Sequence, residues 1–375
     1  MTSRREITMW TPNTLALCCA ILVGGGVAGW RLTSGLGAVT NLNDVYPWGF
    51  WLGFDVLGGV AMAAGGFIIA AAVYLFNWQK YKPIGRPAIL TAFLGYLMAV
   101  VALFLDIGHP FRLWHPAVMW QVHSIMWVVA IHVILYTTTL AIESSPMLLE
   151  RFGKSKALAA VNKIMIGAVV FGVMLSTLHQ SSLGAVFLIA PARMSPLWFS
   201  QFLPYMFLIS AIAMGLCMVS TEAMLSGRAF NHHIDIEIFR GLARGTRITL
   251  FIYLALKLLF LVWAGVGLAF DGSLAGNMYL LELLLGVILP LALLARERFR
   301  REPQAIMAVN ILVIVGVLVN RLNVCIFSMQ GYNADQGAGY FPSFSEFLVT
   351  LGVVALGVFL FKMAARHLPL FAKAG

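Results

Sequence analysis

The chain has 375 residues, of which 61% are hydrophobic and 11% are charged, and its mean hydropathy is +0.89. These values exclude a soluble globular protein, in which about 25% of the residues are charged. The formal net charge of +10 does not indicate a nucleic-acid-binding protein, because the basic residues are spread over many short segments and form no single patch.

Ten long apolar runs follow one another along the chain, and a helix needs about 20 such residues to cross a bilayer. The runs cover approximately 13–30, 47–76, 87–107, 119–142, 160–178, 198–224, 247–268, 277–296, 305–326 and 345–365. The sequence therefore predicts an all-α integral membrane protein with about ten transmembrane helices. We interpret 1–375 as a single polytopic membrane domain, with candidate four-helix units at 47–178 and 198–326 and two flanking helices.

The basic residues predict the orientation of the chain. Most of the 25 Lys and Arg residues lie in the two tails and in or beside every second gap between the runs. Cytoplasmic loops collect Lys and Arg, so we expect both termini in the cytoplasm. Arg4 and Arg5 precede the first run. That run is interpreted as a span and not as a cleaved signal, because no convincing small-residue cleavage site follows it.

Ionisable residues inside the runs are the first candidates for function. Such a group costs about 2.5–3.5 kcal/mol near the bilayer centre, so it indicates either a partner or a role. Asp55 lies about two turns inside the second run, and its side chain is too short to reach the interface easily. Asp106 ends the third run, His123 begins the fourth, and His179 ends the fifth. We predict that these residues belong to a pocket on the outer side. A second set is a candidate proton route to the cytoplasm: Glu222, Lys257, His132, Glu282 and Arg321.

Two further patterns predict local structure. Gln180, Ser181 and Ser182 extend the polar character of His179, and we interpret the segment as unwound backbone that lines a cavity, since such backbone is tolerated only where it is buried or faces water. The small residues of 58–66 indicate a close approach between helices. The loop 225–246 is expected to be a cytoplasmic loop in which His232 and His233 are solvated.

The sequence offers little for a metal or a haem. Only His123, His132 and His179 lie in the runs or at their ends, so a two-haem core, which needs four histidines, is excluded, and we expect no haem. The four cysteines form no C-x-x-C motif, so we expect no iron–sulfur cluster. We also find no P-loop and no metal-binding motif such as H-E-x-x-H.

An outer pocket of Asp and His residues suits proton exchange with a two-electron carrier. A lipid-soluble quinone, menaquinone or ubiquinone, fits that location because it enters from the membrane and takes up protons when it is reduced. Since the chain is expected to carry no redox centre, a partner must supply the electrons. The chain alone is therefore expected to be non-catalytic.

Several segments resemble a known family. They are Asn43–Asp55 with its Pro-Trp-Gly, the stretch from Asn77 to Arg86, His179-Gln-Ser-Ser182, Pro196-Leu-Trp198 and Gly339–Glu346. The chain is similar throughout to the NrfD/PsrC family of quinone-interacting membrane subunits, and within it to the HybB-type subunit of Ni/Fe-hydrogenase 2.

The resemblance implies a haem-free, ten-helix quinone module in the cytoplasmic membrane of a bacterium or archaeon. On its outer face it implies a ferredoxin-like, multi-cluster iron–sulfur subunit and, through it, a catalytic subunit (a Ni/Fe hydrogenase or another enzyme). The polar residues of the family's quinone pocket would fall on Asp55, Asp106, His123 and His179.

Other functions remain open at this point. Lys257 paired with Glu222 or Glu282 would suit an ion or proton transporter. A non-redox membrane anchor for a peripheral enzyme is a further alternative. Within the resembled family, the chain could also serve a sulfur, nitrite or alternative complex III type complex.

Overall fold

A computed structural model describes residues 11–46, 48–230 and 232–370 of the chain. It confirms the all-α membrane architecture, with ten helices long and apolar enough to cross a bilayer among these residues. They are α1 Pro12–Ser34, α2 Trp51–Leu75, α3 Gln79–Asp106, α4 Ile125–Arg151, α5 Ser155–Ile189, α6 Leu203–Phe230, α7 Ile236–Ala264, α8 Leu274–Ala295, α9 Pro303–Asp335 and α10 Phe344–His367. Arg4 and Arg5 lie outside the described residues.

The two faces of the helix bundle are named here from the charge pattern. The loops before α2, α4, α6, α8 and α10 carry few basic residues, and we call their side the outer face. The loops that carry most of the Lys and Arg form the inner face, where Arg86 on α3 makes an ion pair of 2.6 Å with Glu150 on α4.

Several helix boundaries differ from the predicted runs, among them the start of α3 at Gln79 and both ends of α5, and capping residues set two of them. α4 begins at Ile125, where the Ser124 side chain accepts a hydrogen bond from the backbone N–H of Trp127. Residues 119–124 of the fourth run therefore lie in the loop. On the inner face, α6 continues to Phe230 and α7 begins directly after its N-cap Asp235. The predicted long loop 225–246 is thus mostly helix.

The helices pack as two closed rings with a flanking pair. In the first ring α2 contacts α3, α3 contacts α4, α4 contacts α5, and α5 returns to α2. In the second, α6 contacts α7 and α9, and α8 completes the ring between α7 and α9. α2 also packs on α6, which joins the rings, and 83% of its most apolar window is buried. α1 packs on α10, and α10 packs on α3.

Small residues allow the closest of these contacts, as predicted for 58–66. A Cβ built on Gly65 of α2 would lie 2.6 Å from the Gly215 carbonyl oxygen on α6. A Cβ on Gly286 of α8 would lie 2.8 Å from the Gly316 Cα on α9. These helices therefore touch backbone to backbone, as small residues permit in lipid.

The irregular backbone is not where the sequence predicted it. α5 is helical through Gln180, Ser181 and Ser182, so the predicted unwound segment is wrong. Two polar groups there find partners without unwinding: Ser181 donates to the Thr177 carbonyl, and the Gln180 amide N–H donates to the Val60 carbonyl on α2 over 2.8 Å. Instead, π-helical turns occur at Trp51–Gly58 and Ala71–Leu75 of α2 and at Leu284–Ile288 of α8.

The α8–α9 contact gives a stability prediction. Gly316→Leu places a side chain where the Gly286 backbone lies, and overpacking of this kind costs about 1–3 kcal/mol or more. We expect a lower thermal unfolding midpoint for the purified protein in detergent. Gly167→Leu on α5 is the control, because Gly167 has no atom within 4 Å of a built Cβ. Equal midpoints for the two variants would contradict the contact.

Candidate functional site

An apolar cavity of about 690 Å³ lies between α2, α3, α6 and α10. Leu225 of α6 and Val354 and Val358 of α10 line it and are themselves exposed, so the cavity opens between these helices toward the surrounding hydrocarbon. A cavity of this size, lined mainly by apolar side chains with a few polar groups, is typical of small-ligand sites.

Asp55 lines this cavity from the π-helical part of α2. Its side chain is buried, and the Thr350 hydroxyl on α10 donates a hydrogen bond of 2.5 Å to Oδ2. This bond holds one carboxyl oxygen and leaves Oδ1 for another partner. Thr350 had no signal in the sequence, because a threonine inside an apolar run is common and its partner lies 295 residues away.

Aromatic and acidic side chains close the structure above Asp55 at the outer face. Tyr340 donates a hydrogen bond of 2.5 Å to Glu346, which also accepts the backbone N–H groups of Asn41 and Ser343. The Trp51 indole donates to the Glu346 carbonyl over 3.0 Å. Burial, followed by the hydrogen bond to Glu346 and its charge, raises the pKa of Tyr340, so this hydroxyl remains a donor. The segment before α2 is thereby fixed to the start of α10.

Asp106 lies at the outer end of α3, and its exposure is intermediate. It interacts electrostatically with Arg31 of α1 and with Asp55, but it does not line the cavity. Arg31 is buried and donates to the Leu105 carbonyl over 2.6 Å and to the Ile107 carbonyl. Arg31 thereby ties α1 to the end of α3.

His179 lies in the core of the first ring and not in the cavity. It has no exposed surface, and neither ring nitrogen has a hydrogen-bond partner among the described residues. Its ring lies 5.7 Å from that of Tyr96 on α3 and 6.2 Å from that of His132 on α4. His132 is half-buried, and its Nδ1 lies 3.4 Å from the Ser182 hydroxyl. The hydroxyls of Tyr96 and Tyr136, whose rings are 4.6 Å apart, also have no partner among the described residues.

His123 is exposed in the loop before α4. The structure therefore does not bring the four predicted pocket residues together. Asp55 lines the cavity, Asp106 lies near it, His179 is on the far side of α2, and His123 is at the surface.

The members of the candidate proton route also lie in separate places. Glu222 lines the cavity from α6, with the Ser226 hydroxyl 3.0 Å from Oε1. Lys257 and Glu282 form a buried ion pair of 2.7 Å in the second ring. His132 belongs to the first ring. Among the described residues, no hydrogen bond or ion pair joins Glu222, the Lys257–Glu282 pair and His132 to one another.

The Lys257–Glu282 pair is enclosed by partners. Glu282 accepts hydrogen bonds of 2.9–3.0 Å from Trp198, Asn320 and Asn323. Arg321, beside them, donates to Asn320 over 2.6 Å and to the Ser210 hydroxyl over 2.8 Å, and it lies over the Phe207 ring. The charges of Lys257 and Glu282 therefore compensate each other inside the protein, whereas the Arg321 guanidinium is held by neutral acceptors and the Phe207 ring.

Comparison with known proteins decides the family. Residues 38–332 match the family described as "Polysulphide reductase, NrfD". The chain belongs to the NrfD family. A Nitratidesulfovibrio vulgaris protein is 37% identical over 96% of this chain and 95% of its own length. The Escherichia coli protein named probable Ni/Fe-hydrogenase 2 b-type cytochrome subunit is 32% identical over 91% and 87%. The menaquinone reductase integral membrane subunit of N. vulgaris is 28% identical over 98% and 93%. The predicted resemblance is confirmed.

The name of the E. coli relative implies a haem, and the residues of this NrfD chain do not fit one as they are packed. A b-type haem needs two axial histidines with room for the macrocycle between them. Within the described spans, away from the helix ends, the histidines are His132 and His179, and the space around them is filled by Tyr96 and Ser182. His179 has no exposed surface against which a macrocycle could lie.

The closed network predicts that Lys257 acts mainly in stability. Lys257→Met leaves the Glu282 charge buried without its cation, which costs about 3–5 kcal/mol. We expect a clearly lower thermal midpoint for this variant. Replacing both partners, in Lys257→Met with Glu282→Gln, removes both charges and keeps an oxygen that accepts from the buried donors, and should recover part of the loss. Arg301→Met, which removes an exposed pair with Glu297, is the control and should change little. A Lys257→Met protein as stable as this control would refute the assignment.

Proposed function

We propose that this NrfD-family chain is the quinone-reactive membrane subunit of a respiratory oxidoreductase complex. The observation that carries the proposal is a buried carboxyl group, Asp55, at the outer end of an apolar cavity that opens toward lipid. A quinone has an apolar ring and tail that fit such a cavity, and its oxygens need hydrogen-bond partners. The name of the menaquinone reductase relative supports the same ligand class.

Asp55 and Thr350 are the residues that would hold a quinone oxygen. A quinone accepts two electrons and two protons when it is reduced. The Thr350 hydroxyl fixes the rotamer of Asp55, and Oδ1 then gives a proton to, or takes one from, the bound oxygen. The apolar lining excludes water from this exchange, and the outer closure by Tyr340 and Glu346 limits access from the loop side. Asp106 and Arg31 set the charge around Asp55.

His132 and His179 are proposed to hold protons for this reaction in the first ring. Both ring nitrogens of His179 are without partners among the described residues, and Gln180 links its helix to α2 through the Val60 carbonyl. Proton translocation across the membrane would require a connection from these imidazoles to the inner face. His123, at the surface, is assigned to the outer loop region and not to the quinone pocket.

The electrons would come from partner subunits. We propose a ferredoxin-like, multi-cluster iron–sulfur subunit on the outer face and a catalytic subunit beyond it, a hydrogenase or another reductase. The names of the hydrogenase and menaquinone reductase relatives support membership in such complexes. Large apolar side chains exposed on the outer loop after α3, among them Phe111, Trp114 and Trp120, offer a surface for such a subunit.

The transporter alternative receives no support from the buried ion pair that suggested it. Lys257 and Asn320 line a hollow of only about 10 Å³, which is room for about one water molecule. The surrounding hydrogen bonds hold Glu282 in place. The anchor alternative does not account for the cavity or for the buried carboxyl group in it.

Asp55→Asn tests the proposal in the purified complex. The amide keeps the size of the side chain but cannot exchange a proton, so we expect quinone-linked turnover to fall by about 10²-fold or more. The partner's activity with a soluble redox dye should not change. Asp271→Asn, at an exposed outer loop position, is the matched control and should behave as wild type. Full quinone-linked turnover in Asp55→Asn would contradict the assignment.

The proposed orientation has its own test. In a background with the four native cysteines replaced by alanine, we expect Gln336→Cys, between α9 and α10, to react with a membrane-impermeant maleimide in intact cells. Ser155→Cys, at the inner start of α5, should react only after permeabilisation, because positive-inside topology places it in the cytoplasm. Both side chains are at exposed positions. The reverse labelling pattern would place the termini outside.

A further inference from the structure

The cavity has a second polar region in its inner half, separate from Asp55. Thr91 of α3 and Thr221 and Glu222 of α6 all line the cavity. The hydroxyls of Thr91 and Thr221 and the Oε2 atom of Glu222 are buried and have no hydrogen-bond partner among the described residues. Glu222 itself is 8% exposed.

Helix contacts place these three residues at a similar depth. On α2, Gly66 touches Ala92, which follows Thr91, and the adjacent Gly65 touches Val219, which precedes Thr221. Asp55 lies eleven residues before Gly66 on the same helix. At about 1.5 Å per residue, the two polar regions are about 15 Å apart along the cavity.

The hydrocarbon of the bilayer cannot form hydrogen bonds with the polar groups of this second region. A buried polar group without a hydrogen bond is costly, and a carboxyl group facing lipid tails is more so. Ser226 contacts only Oε1 of Glu222, which leaves Oε2 unsatisfied. The remaining groups are two hydroxyl donors and one carboxyl group that can donate when protonated and accept when ionised. A quinone ring matches this set in both redox forms. Its carbonyl oxygens accept hydrogen bonds from the hydroxyls and the protonated carboxyl group, and the hydroxyls of its reduced form can donate to the ionised carboxylate.

We propose that Thr91, Thr221 and Glu222 form a second binding site for a quinone head group, occupied on the way between the opening to lipid and Asp55. This inference rests on the proposed function, because it assumes that a quinone uses the cavity. The opening supports this order: the exposed lining residues Leu225 and Val358 belong to the same inner half as Glu222, whereas Asp55 lies beneath the closed outer face.

A binding experiment on the purified complex tests the proposal. The probe is 2,3-dimethyl-1,4-naphthoquinone, which has the ring but no tail, and its binding is followed by quenching of tryptophan fluorescence. The wild-type protein should show two classes of site. Thr221→Val keeps the shape of the side chain but removes its hydroxyl. It should weaken one class about tenfold, because one hydrogen bond to a polar ligand is worth about that factor. Glu222→Leu should remove the same class.

Two further variants make the result specific. Ser220→Ala is the matched control, since Ser220 is a buried neighbour on α6 whose hydroxyl also lacks a partner among the described residues but which does not line the cavity. It should retain both classes. Asp55→Asn should weaken the other class and leave the Glu222 class intact. With a long-chain quinone as substrate, Thr221→Val should raise KM and leave kcat unchanged.

Each other outcome has a distinct meaning. One class of site in the wild-type protein, or two classes that persist in both Thr221→Val and Glu222→Leu, would overturn the second site. A Glu222→Leu protein that keeps both classes but loses proton uptake would overturn it in favour of a proton-carrying role for Glu222. No binding of the probe to the wild-type complex would instead refute the proposed quinone function itself.

Discussion

The fold depends on one constraint: a polar group inside a bilayer has no water to bind, so it must find a partner within the protein or reserve its position for a ligand. Most polar groups of this chain obey the first condition. Lys257, Glu282 and their neighbours satisfy one another in the second ring, and Gln180 finds a backbone carbonyl on α2. Among the described residues, two groups of exceptions stand out. They lie around His179 in the first ring and along the cavity at Thr91, Thr221 and Glu222. Inside a membrane, a polar group without a hydrogen-bond partner therefore says more about where a ligand could bind than a charged group does.

This constraint separates two kinds of ionisable residue that look alike in sequence. Lys257 and Glu222 are both buried and both deep in apolar runs, so each is a candidate for function on the same grounds. The surroundings distinguish them. Lys257 is held by a carboxylate and lies over the Tyr279 ring, whereas Glu222 has one satisfied oxygen and borders open volume. The two halves of the chain therefore have different roles. The second ring holds the buried Lys257–Glu282 ion pair, and the apolar cavity lies where the first ring meets α6 and α10.

The fold was largely predictable, and the site only in part, for physical reasons. Hydropathy reflects burial in lipid directly, so all ten spans followed from the sequence. Several helix ends did not: capping by Ser124 and Asp235 sets two of them, and α3 and α5 extend beyond their apolar runs. The predicted pocket combined Asp55 with His179 because both lie near the outer ends of their spans. The depth of a residue can be estimated from its position along a span, but which helices border a cavity depends on their packing, and α5, which carries His179, contributes no residue to the lining. The π-helical turns that carry Asp55 have no sequence signature, and Thr350 and Arg31 act through contacts distant in sequence.

The pairing of α1 with α10 has a consequence for biogenesis. Gly24 and Gly352 bring the two backbones into contact, and Arg31 fastens α1 to the end of α3. A ribosome delivers α10 last among these spans, yet α10 supplies Thr350 and one wall of the cavity. The spans that are synthesised earlier therefore lack the α10 wall of the cavity until translation nears its end. A cavity assembled this late cannot form on nascent chains that stall before α10, so such incomplete products would lack both its α10 wall and Thr350.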